Sequence, residues 1–179
     1  MTHRSFITWL ILTLAALLPA PSEASNTVLF EFLDVGQGDA ILVTTPEGKT
    51  ILVDAGPSGK IVEKLKQRRL SAIDLMVISH HHFDHYGGMD EVIQNFQVRN
   101  ILVTNSSHST QRFTSLLRLI QKKNIRVLNP DAQGRTLTLG SIAVIVFPLK
   151  TTYFGNENDN SIGLRVVHEM AFPQTMYQP

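Results

Sequence analysis

The chain contains no cysteine among its 179 residues. Disulfides and thiolate metal ligands are therefore excluded, so a bound metal would have to be held by histidine or carboxylate side chains. An excess of one charge sign is also lacking, because 16 Lys and Arg against 15 Asp and Glu give a formal net charge of +1. No strong field would steer such a protein toward nucleic acid or an anionic membrane. Hydrophobic residues make up 43%, which is enough for a folded core, and the length favours one domain.

The longest apolar run lies at the N-terminus, over residues 7–18, where His3 and Arg4 precede it. Ser22-Glu23-Ala24 offers small residues at the two positions that a signal peptidase reads. We therefore predict a cleavable signal peptide over 1–24 and an exported mature chain, periplasmic or secreted. The alternative is an uncleaved anchor, but the run is shorter than the ~20 residues of a spanning helix. No later stretch is long enough to span a bilayer, so no stable membrane span is expected after cleavage.

Beyond residue 25, short apolar segments alternate with helical patterns. Strands predicted over 28–35, 40–45 and 49–54 are joined by tight turns, which indicates an antiparallel start to the sheet. A helix is predicted over 60–70 from the spacing of its apolar residues, and the apolar segment 75–79 indicates a strand buried on both faces. Further helices are predicted over 89–96 and 109–122, and further strands over 98–103, 125–128, 136–139, 142–147 and 161–167. This order predicts a layered α/β (α+β) architecture with a sheet flanked by helices.

Four of the seven histidines fall between residues 80 and 85, directly after the buried strand. Loops that leave such strands are where scaffolds place chemistry. In an extended turn, His80 and His82 project to the same side and can hold one divalent cation, whereas His81 points away and is expected to be a bystander. Asp84 and His85 can reach a second cation or complete the first site. Imidazole with carboxylate suits zinc and tolerates iron or manganese.

A metal held there would lower the pKa of its bound water from 15.7 toward ~7 and so provide hydroxide at neutral pH. The reaction class implied is hydrolysis of an ester, amide or phosphoester, with Asp84 as a catalytic residue that both binds metal and orients the hydroxide. The alternative is an adventitious His-rich patch. The His-x-His-x-Asp-His order, the strand before it and the paired glycines after it favour a functional site.

The segment Ser79–Gly88 resembles the motif of the metallo-β-lactamase superfamily. Asp34-Val35-Gly36-Gln37-Gly38-Asp39-Ala40, Asp54-Ala55-Gly56 and Asn158-Asp159-Asn160-Ser161 narrow the resemblance to the soluble hydrolase domain of ComEC-type competence proteins, over residues 28–167. The resemblance implies an αββα sandwich with two divalent ions, zinc in the family with manganese or iron possible, at one edge.

The resemblance also implies a division of labour among the site residues. It assigns His80 and His82 to one metal, and Asp84 and His85 to the other. It suggests that Asp54 sits behind the ligands, where it would accept a ring N–H and fix a tautomer; the alternative is a turn residue. Asp39 would lie beside the metal cleft.

Two departures from the family pattern stand out. Asn158-Asp159-Asn160 occupies the place of a third histidine, so Asp159 is either a substitute ligand or a turn residue, and His108 and His168 are further candidates. After the last strand, a Gly-Asp pair seen in relatives is missing. The resemblance therefore implies that the domain, 25–168, comprises the N-terminal half to two-thirds of the sandwich and is followed by an irregular tail, 169–179. We then expect apolar surface exposed along 75–79, weak binding at the second metal and poor turnover.

The leading hypothesis is a metal-dependent hydrolase of phosphodiester or nucleic-acid substrates. Basic residues are scattered and no aromatic-interleaved basic stripe is present, so support for nucleic acid comes from the resemblance alone. The alternatives are a hydrolase of small esters, lactams or lactones, and a catalytically degenerate domain that binds a metal or a partner.

Overall fold

The computed structural model describes residues 26–104, 110–130, 133–148 and 157–168. The predicted signal peptide over 1–24, the tail over 169–179 and His108 lie outside the described residues, as do the side chains of Glu157 and Asp159. None of the helices in the described ranges is long and apolar enough to cross a membrane.

Six strands form the larger sheet in the order in which they occur along the chain. They are β1 (Leu29–Phe32), β2 (Ile41–Thr44), β3 (Thr50–Val53), β4 (Ala72–Val77), β5 (Gln97–Leu102) and β6 (Arg126–Leu128). The pairs β1–β2 and β2–β3 are antiparallel, as predicted from their tight turns, and β3 to β6 are parallel neighbours. Parallel pairing requires a crossover between strands, which the helices provide.

One face of this sheet is covered by helices. They are α1 (Lys60–Gln67), α2 (Phe83–Tyr86), α3 (Met89–Asn95) and α4 (Gln111–Lys122). Leu52 and Met76 of the sheet are fully buried against a core that includes Ile61 of α1 and Ile120 of α4. The helix predicted over 60–70 ends earlier because Arg69 adopts the left-handed conformation (φ 54°), which cannot continue a helix.

The other face of the sheet is covered by a second, antiparallel sheet. It consists of β7 (Arg135–Leu139), β8 (Ile142–Val146) and β9 (Leu164–His168). Val144 is fully buried in a cluster that includes Val77 of β4. Glu47 ties the two sheets together, because its carboxylate accepts from Thr45 Oγ1 at 2.8 Å and from the backbone N–H of Ser141 at 2.9 Å. The described residues thus form helix, sheet and sheet layers, three of the layers of the expected sandwich.

The strand leading to the histidines differs from its prediction in one respect. β4 begins at Ala72 rather than at residue 75, because the acidic Asp74 is itself buried. Its carboxylate accepts from the backbone N–H of Thr50 at 3.0 Å and pairs with Arg99. Burial of a carboxylate is tolerated when it is paired and hydrogen-bonded.

The prediction of exposed apolar surface along 75–79 is wrong. Leu75, Val77 and Ile78 are buried, because the second sheet and the helix layer cover both faces of β4. Exposed large apolar side chains occur elsewhere, among them Phe30 (48% exposed) and Phe32 (80% exposed) on the edge strand β1.

Candidate metal centre

The histidine segment connects the C-terminal end of β4 to α2. The N–H of His85 donates to the carbonyl of His82 at 3.0 Å, so the segment folds directly into the short helix. Two backbone hydrogen bonds fasten it to the loop after β3: Ala55 donates to the carbonyl of His85 at 2.8 Å, and Gly88 donates to that of Gly56 at 2.9 Å. Because β3 and β4 are parallel neighbours, the residues that follow the two strands lie close together at one edge of the sheet.

Ring nitrogens of His80 and His82 lie within hydrogen-bond distance of each other. Nε2 of His80 lies 3.1 Å from Nδ1 of His82, and the two rings are nearly perpendicular, at 80°. Two nitrogens that each bind a tetrahedral zinc at about 2.0–2.1 Å are roughly 3.3 Å apart. The spacing of this pair therefore fits chelation of one divalent cation. Nδ1 of His82 also lies 3.1 Å from Oδ1 of Asn158, so the 3-10 helix Glu157–Asn160 approaches the same point.

Asp54 lies behind this pair and behind His85. Its carboxylate is 4% exposed. It accepts from the backbone N–H of Ser79 at 2.8 Å, from Oγ of Ser79 at 2.6 Å and from Nδ1 of His85 at 2.8 Å. Asp54 also has a φ of 57°, a left-handed conformation that costs a non-glycine residue about 1 kcal/mol or more. The three hydrogen bonds hold the carboxylate in place despite that cost.

These contacts determine which ring nitrogens carry protons. The hydroxyl of Ser79 has one proton, which it donates to Asp54, so at Nδ1 of His80, 2.9 Å away, the hydroxyl acts as acceptor. His80 is then protonated at Nδ1 and has a lone pair at Nε2. Neutral His85 is also protonated at Nδ1, because that nitrogen donates to Asp54. Both Nε2 atoms are thus left with the lone pair that a metal requires.

The electrostatic surroundings of the two histidines differ. Burial lowers the pKa of His80 below its usual value, and the nearby charge of His85 acts in the same direction. The hydrogen bond to Asp54 raises the pKa of His85, with burial opposing it. His80 is therefore neutral over a wider pH range, whereas a metal would have to compete with a proton at His85.

Two further carboxylates border His85. Oδ2 of Asp84 lies 4.0 Å from Nε2 of His85. Oδ2 of Asp39 lies 4.0 Å from its Nδ1, and the Asp39 side chain is 71% exposed. The rings of His80 and His85 have centroids 4.0 Å apart, so His80 lies in the same patch as His85 and its neighbouring carboxylates.

The predicted ligands form two adjacent pairs rather than one closed cage. Within the described ranges, no group of three or more His, Asp or Glu side chains converges closely enough to hold one ion. His80 with His82 has the spacing of a chelating pair, and Asp84 faces His85. The donor chemistry of both pairs therefore suits divalent cations, and the spacing of His80 and His82 is near that of two ligands on one ion.

The other histidine and carboxylate candidates lie away from this patch or only partly within the described residues. The backbone of Asp159 lies in the 3-10 helix beside Asn158, but its side chain is outside the described residues. His168 lies on β9 of the second sheet, where its Nε2 is buried without a hydrogen-bond partner in the described part of the chain. His81 is buried on the far side of the segment, 2.9 Å from Oγ1 of Thr104 and stacked on Phe113.

Gly87 and Gly88, the paired glycines of the motif, pack against the loop after β3, where a Cβ on Gly88 would lie 2.5 Å from the carbonyl oxygen of Ser58. Sequence reasoning missed Ser79 and Asn158 as neighbours of the histidines. Two signals were present: Ser79 directly precedes His80, and the resemblance puts residues 158–160 in the place of a third histidine.

Residues 33–164 match the family model described as the metallo-beta-lactamase superfamily, and the chain belongs to this superfamily. A metal-dependent hydrolase of Koribacter versatilis is 26% identical over 57% of this chain and 40% of its own length. Endoribonuclease YSH1 of Saccharomyces cerevisiae is 31% identical over 51% of this chain and 13% of its own. The crystal structure of CmlA, a diiron β-hydroxylase from Streptomyces venezuelae, superposes with a TM-score of 0.53 at 22% identity, over 84% of this chain and 28% of its own.

This chain spans less than half the length of each of these proteins. At 22% identity the likeness to CmlA concerns the fold alone. The predicted mixed α/β fold of the metallo-β-lactamase type is confirmed by the family match and by the six-stranded sheet with its helices. Members of the superfamily are mostly metal-dependent hydrolases and bind divalent metals.

Proposed function

We propose that this chain is a metal-dependent hydrolase that binds divalent cations through His80, His82, Asp84 and His85 and prefers phosphodiester substrates. One observation carries the proposal: Nε2 of His80 faces Nδ1 of His82 at 3.1 Å, and the hydrogen bonds through Ser79 to Asp54 leave the lone pair on Nε2. In the metal-free chain this separation is that of a ring–ring hydrogen bond, and it holds the two nitrogens near the spacing of two ligands on one cation.

The roles of the side chains follow from their positions. His80 and His82 would hold one cation, and His85 with Asp84 a second; zinc suits this donor set best, with manganese or iron as alternatives. Such cations would supply Lewis-acid activation of water and of the scissile bond. Asp54 orients His85 directly and His80 through Ser79. Asp84, with its carboxylate 38% exposed, is positioned to orient the attacking water and to take its proton, and Asp159 is proposed as an additional ligand.

A phosphodiester substrate is favoured by two similarities. One is the 31% identity to an endoribonuclease, and the other is the resemblance of residues 34–40 to ComEC-type competence proteins. The alternatives are a hydrolase of small esters, lactams or lactones and a catalytically degenerate domain that binds a metal or a partner, since one fold can carry unrelated functions. An exported location and a signal peptide over 1–24 remain part of the proposal.

The proposal is tested by metal content and turnover in the same preparation. The chain is stripped with a chelator, reloaded with zinc or manganese, and analysed for metal per chain. Turnover is then measured on bis(p-nitrophenyl) phosphate, p-nitrophenyl acetate and a β-lactam. We expect metal-dependent cleavage with the diester preferred. His82→Ala should remove bound metal and turnover, whereas His168→Gln, on the second sheet, should retain both.

Each of the alternatives has its own signature in this experiment. Preference for the acetate or the lactam would select a hydrolase of small esters or lactams. Tightly bound metal without turnover of any substrate would select the binding domain. Metal content unchanged by His82→Ala would contradict the proposed site altogether.

A further inference from the structure

The loop between β1 and β2 borders the candidate metal centre, and we propose that the backbone of residues 36–38 together with Lys60 forms a subsite for the anionic phosphate of the substrate. This inference rests on the proposed function, because it names what binds beside the same site. None of these residues belongs to the proposed metal ligands.

The loop is fixed against the centre on two sides. The carbonyl of Asp39 accepts from the N–H of Gly56 at 3.0 Å, in the loop that follows β3. Gly38 lies directly on the backbone of Asp84, since a Cβ built on Gly38 would be 1.8 Å from the carbonyl oxygen of Asp84. The loop is thus in backbone contact with a proposed ligand, although residues 36–39 are themselves exposed to solvent.

A positive charge lies over this loop. Lys60 begins α1, and a Cβ built on Gly36 would be 3.3 Å from its Nζ. The ammonium therefore rests against the glycine backbone. Lys60 is exposed, and no carboxylate of the described residues is recorded in an ion pair with it. Its charge remains available to a ligand.

The negative charges of the centre explain why a positively charged side chain is needed beside the substrate phosphate. The carboxylates of Asp39, Asp54 and Asp84 surround His85, and they repel an anionic diester more than a neutral ester. Lys60 offsets this repulsion. The positive φ of Gly36 (91°) and Gly38 (80°) lets the loop pack under Lys60 and against Asp84. The exposed ammonium then attracts phosphate as a point charge.

The test compares charged and neutral ligands in Lys60→Met and in a matched control, Lys66→Met, which removes an exposed lysine from the same helix. On the metal-loaded chain, we expect Lys60→Met to raise KM for bis(p-nitrophenyl) phosphate about fivefold, the size of an exposed charge pair. Its kinetics on p-nitrophenyl acetate should be unchanged, and Lys60→Arg should restore most of the affinity. Lys66→Met should behave like the unmodified chain.

A second measurement does not depend on turnover. Dimethyl phosphate, an anionic diester, is titrated into the zinc-supplemented chain and followed by NMR at the amides of Gly36 and Gly38, with neutral trimethyl phosphate as the comparison. We expect shifts with the anion alone, weakened by Lys60→Met. If no substrate is turned over but these shifts appear, the proposed hydrolase fails and the subsite stands. Equal KM changes for both substrates, or equal shifts with both phosphates, would overturn the subsite.

Discussion

The contact between Gly38 and Asp84 can be tested by adding one methyl group. Gly38→Ala places a Cβ 1.8 Å from the carbonyl oxygen of Asp84, where ordinary contacts begin near 3.4 Å. Gly48→Ala is a matched control, because Gly48 also has a positive φ, 75° against 80° for Gly38, and its Cβ would meet nothing within 4 Å. Both variants lose about 1 kcal/mol of unfolding free energy from the left-handed conformation. Only Gly38→Ala must also displace the backbone of a proposed ligand.

The size of the difference follows from that geometry. Because both partners of the clash are backbone, about 1.5 Å of movement is needed, and overpacking of this kind costs roughly 1–3 kcal/mol. We therefore expect Gly38→Ala to lose about 2–4 kcal/mol in urea denaturation and at least tenfold in zinc affinity, measured by competition with a chelator. Gly48→Ala should lose about 1 kcal/mol and keep its zinc affinity. Equal losses in the two variants would refute the contact.

Three further outcomes are expected. Ser79→Ala removes the hydroxyl that links Asp54 to His80, so zinc affinity should fall about 10- to 100-fold. Ser79→Thr keeps the hydroxyl and should retain the affinity. Equal zinc affinity in both variants and the unmodified chain would contradict the proton assignment. In the metal-free chain, the raised pKa of His85 means that its protonated form stabilises the fold below the unfolded pKa of about 6.5 and that this contribution is lost as pH rises through the folded pKa. Asp54→Asn should therefore lower the pKa of His85 in an NMR titration and cost more stability near pH 5 than near pH 8. Phe32→Ser should leave the unfolding free energy within about 0.5 kcal/mol, because Phe32 is 80% exposed; a loss above about 2 kcal/mol in urea denaturation would show that this side chain is buried in solution.

Much of the fold could be predicted because its signals are local. The antiparallel start of the sheet follows from tight turns, and the helices follow from apolar spacing. The errors occur where a distant partner decides the outcome. Asp74 extends β4 toward the N-terminus because Thr50 and Arg99, about 25 residues away on either side, satisfy its carboxylate. Arg69 ends α1 by its backbone conformation, which no apolar periodicity reports.

The candidate site also has features that a local pattern predicts and features that depend on distant partners. The spacing of His80 and His82 is a local property of an extended turn, so the facing pair could be anticipated from three consecutive residues. The environment of His81 could not, because its partners Thr104 and Phe113 come from elements that follow it in the chain. An alternating pattern says which way a side chain points, but not whether a core or solvent lies there.

The position of Asp54 is an intermediate case, since it follows from pairing rather than from local pattern. Val53 lies opposite Val77 in the parallel register, and the N–H of Asp54 then donates to the carbonyl of Val77 at 2.9 Å. Parallel neighbours end at the same edge of a sheet, so the residue after β3 must lie beside the residues after β4. The left-handed turn at Asp54 directs its carboxylate to Ser79 rather than along the strand. Parallel pairing of the third and fourth strands is enough to bring Asp54 to the histidines, but only the backbone conformation identifies Ser79 as the link to His80.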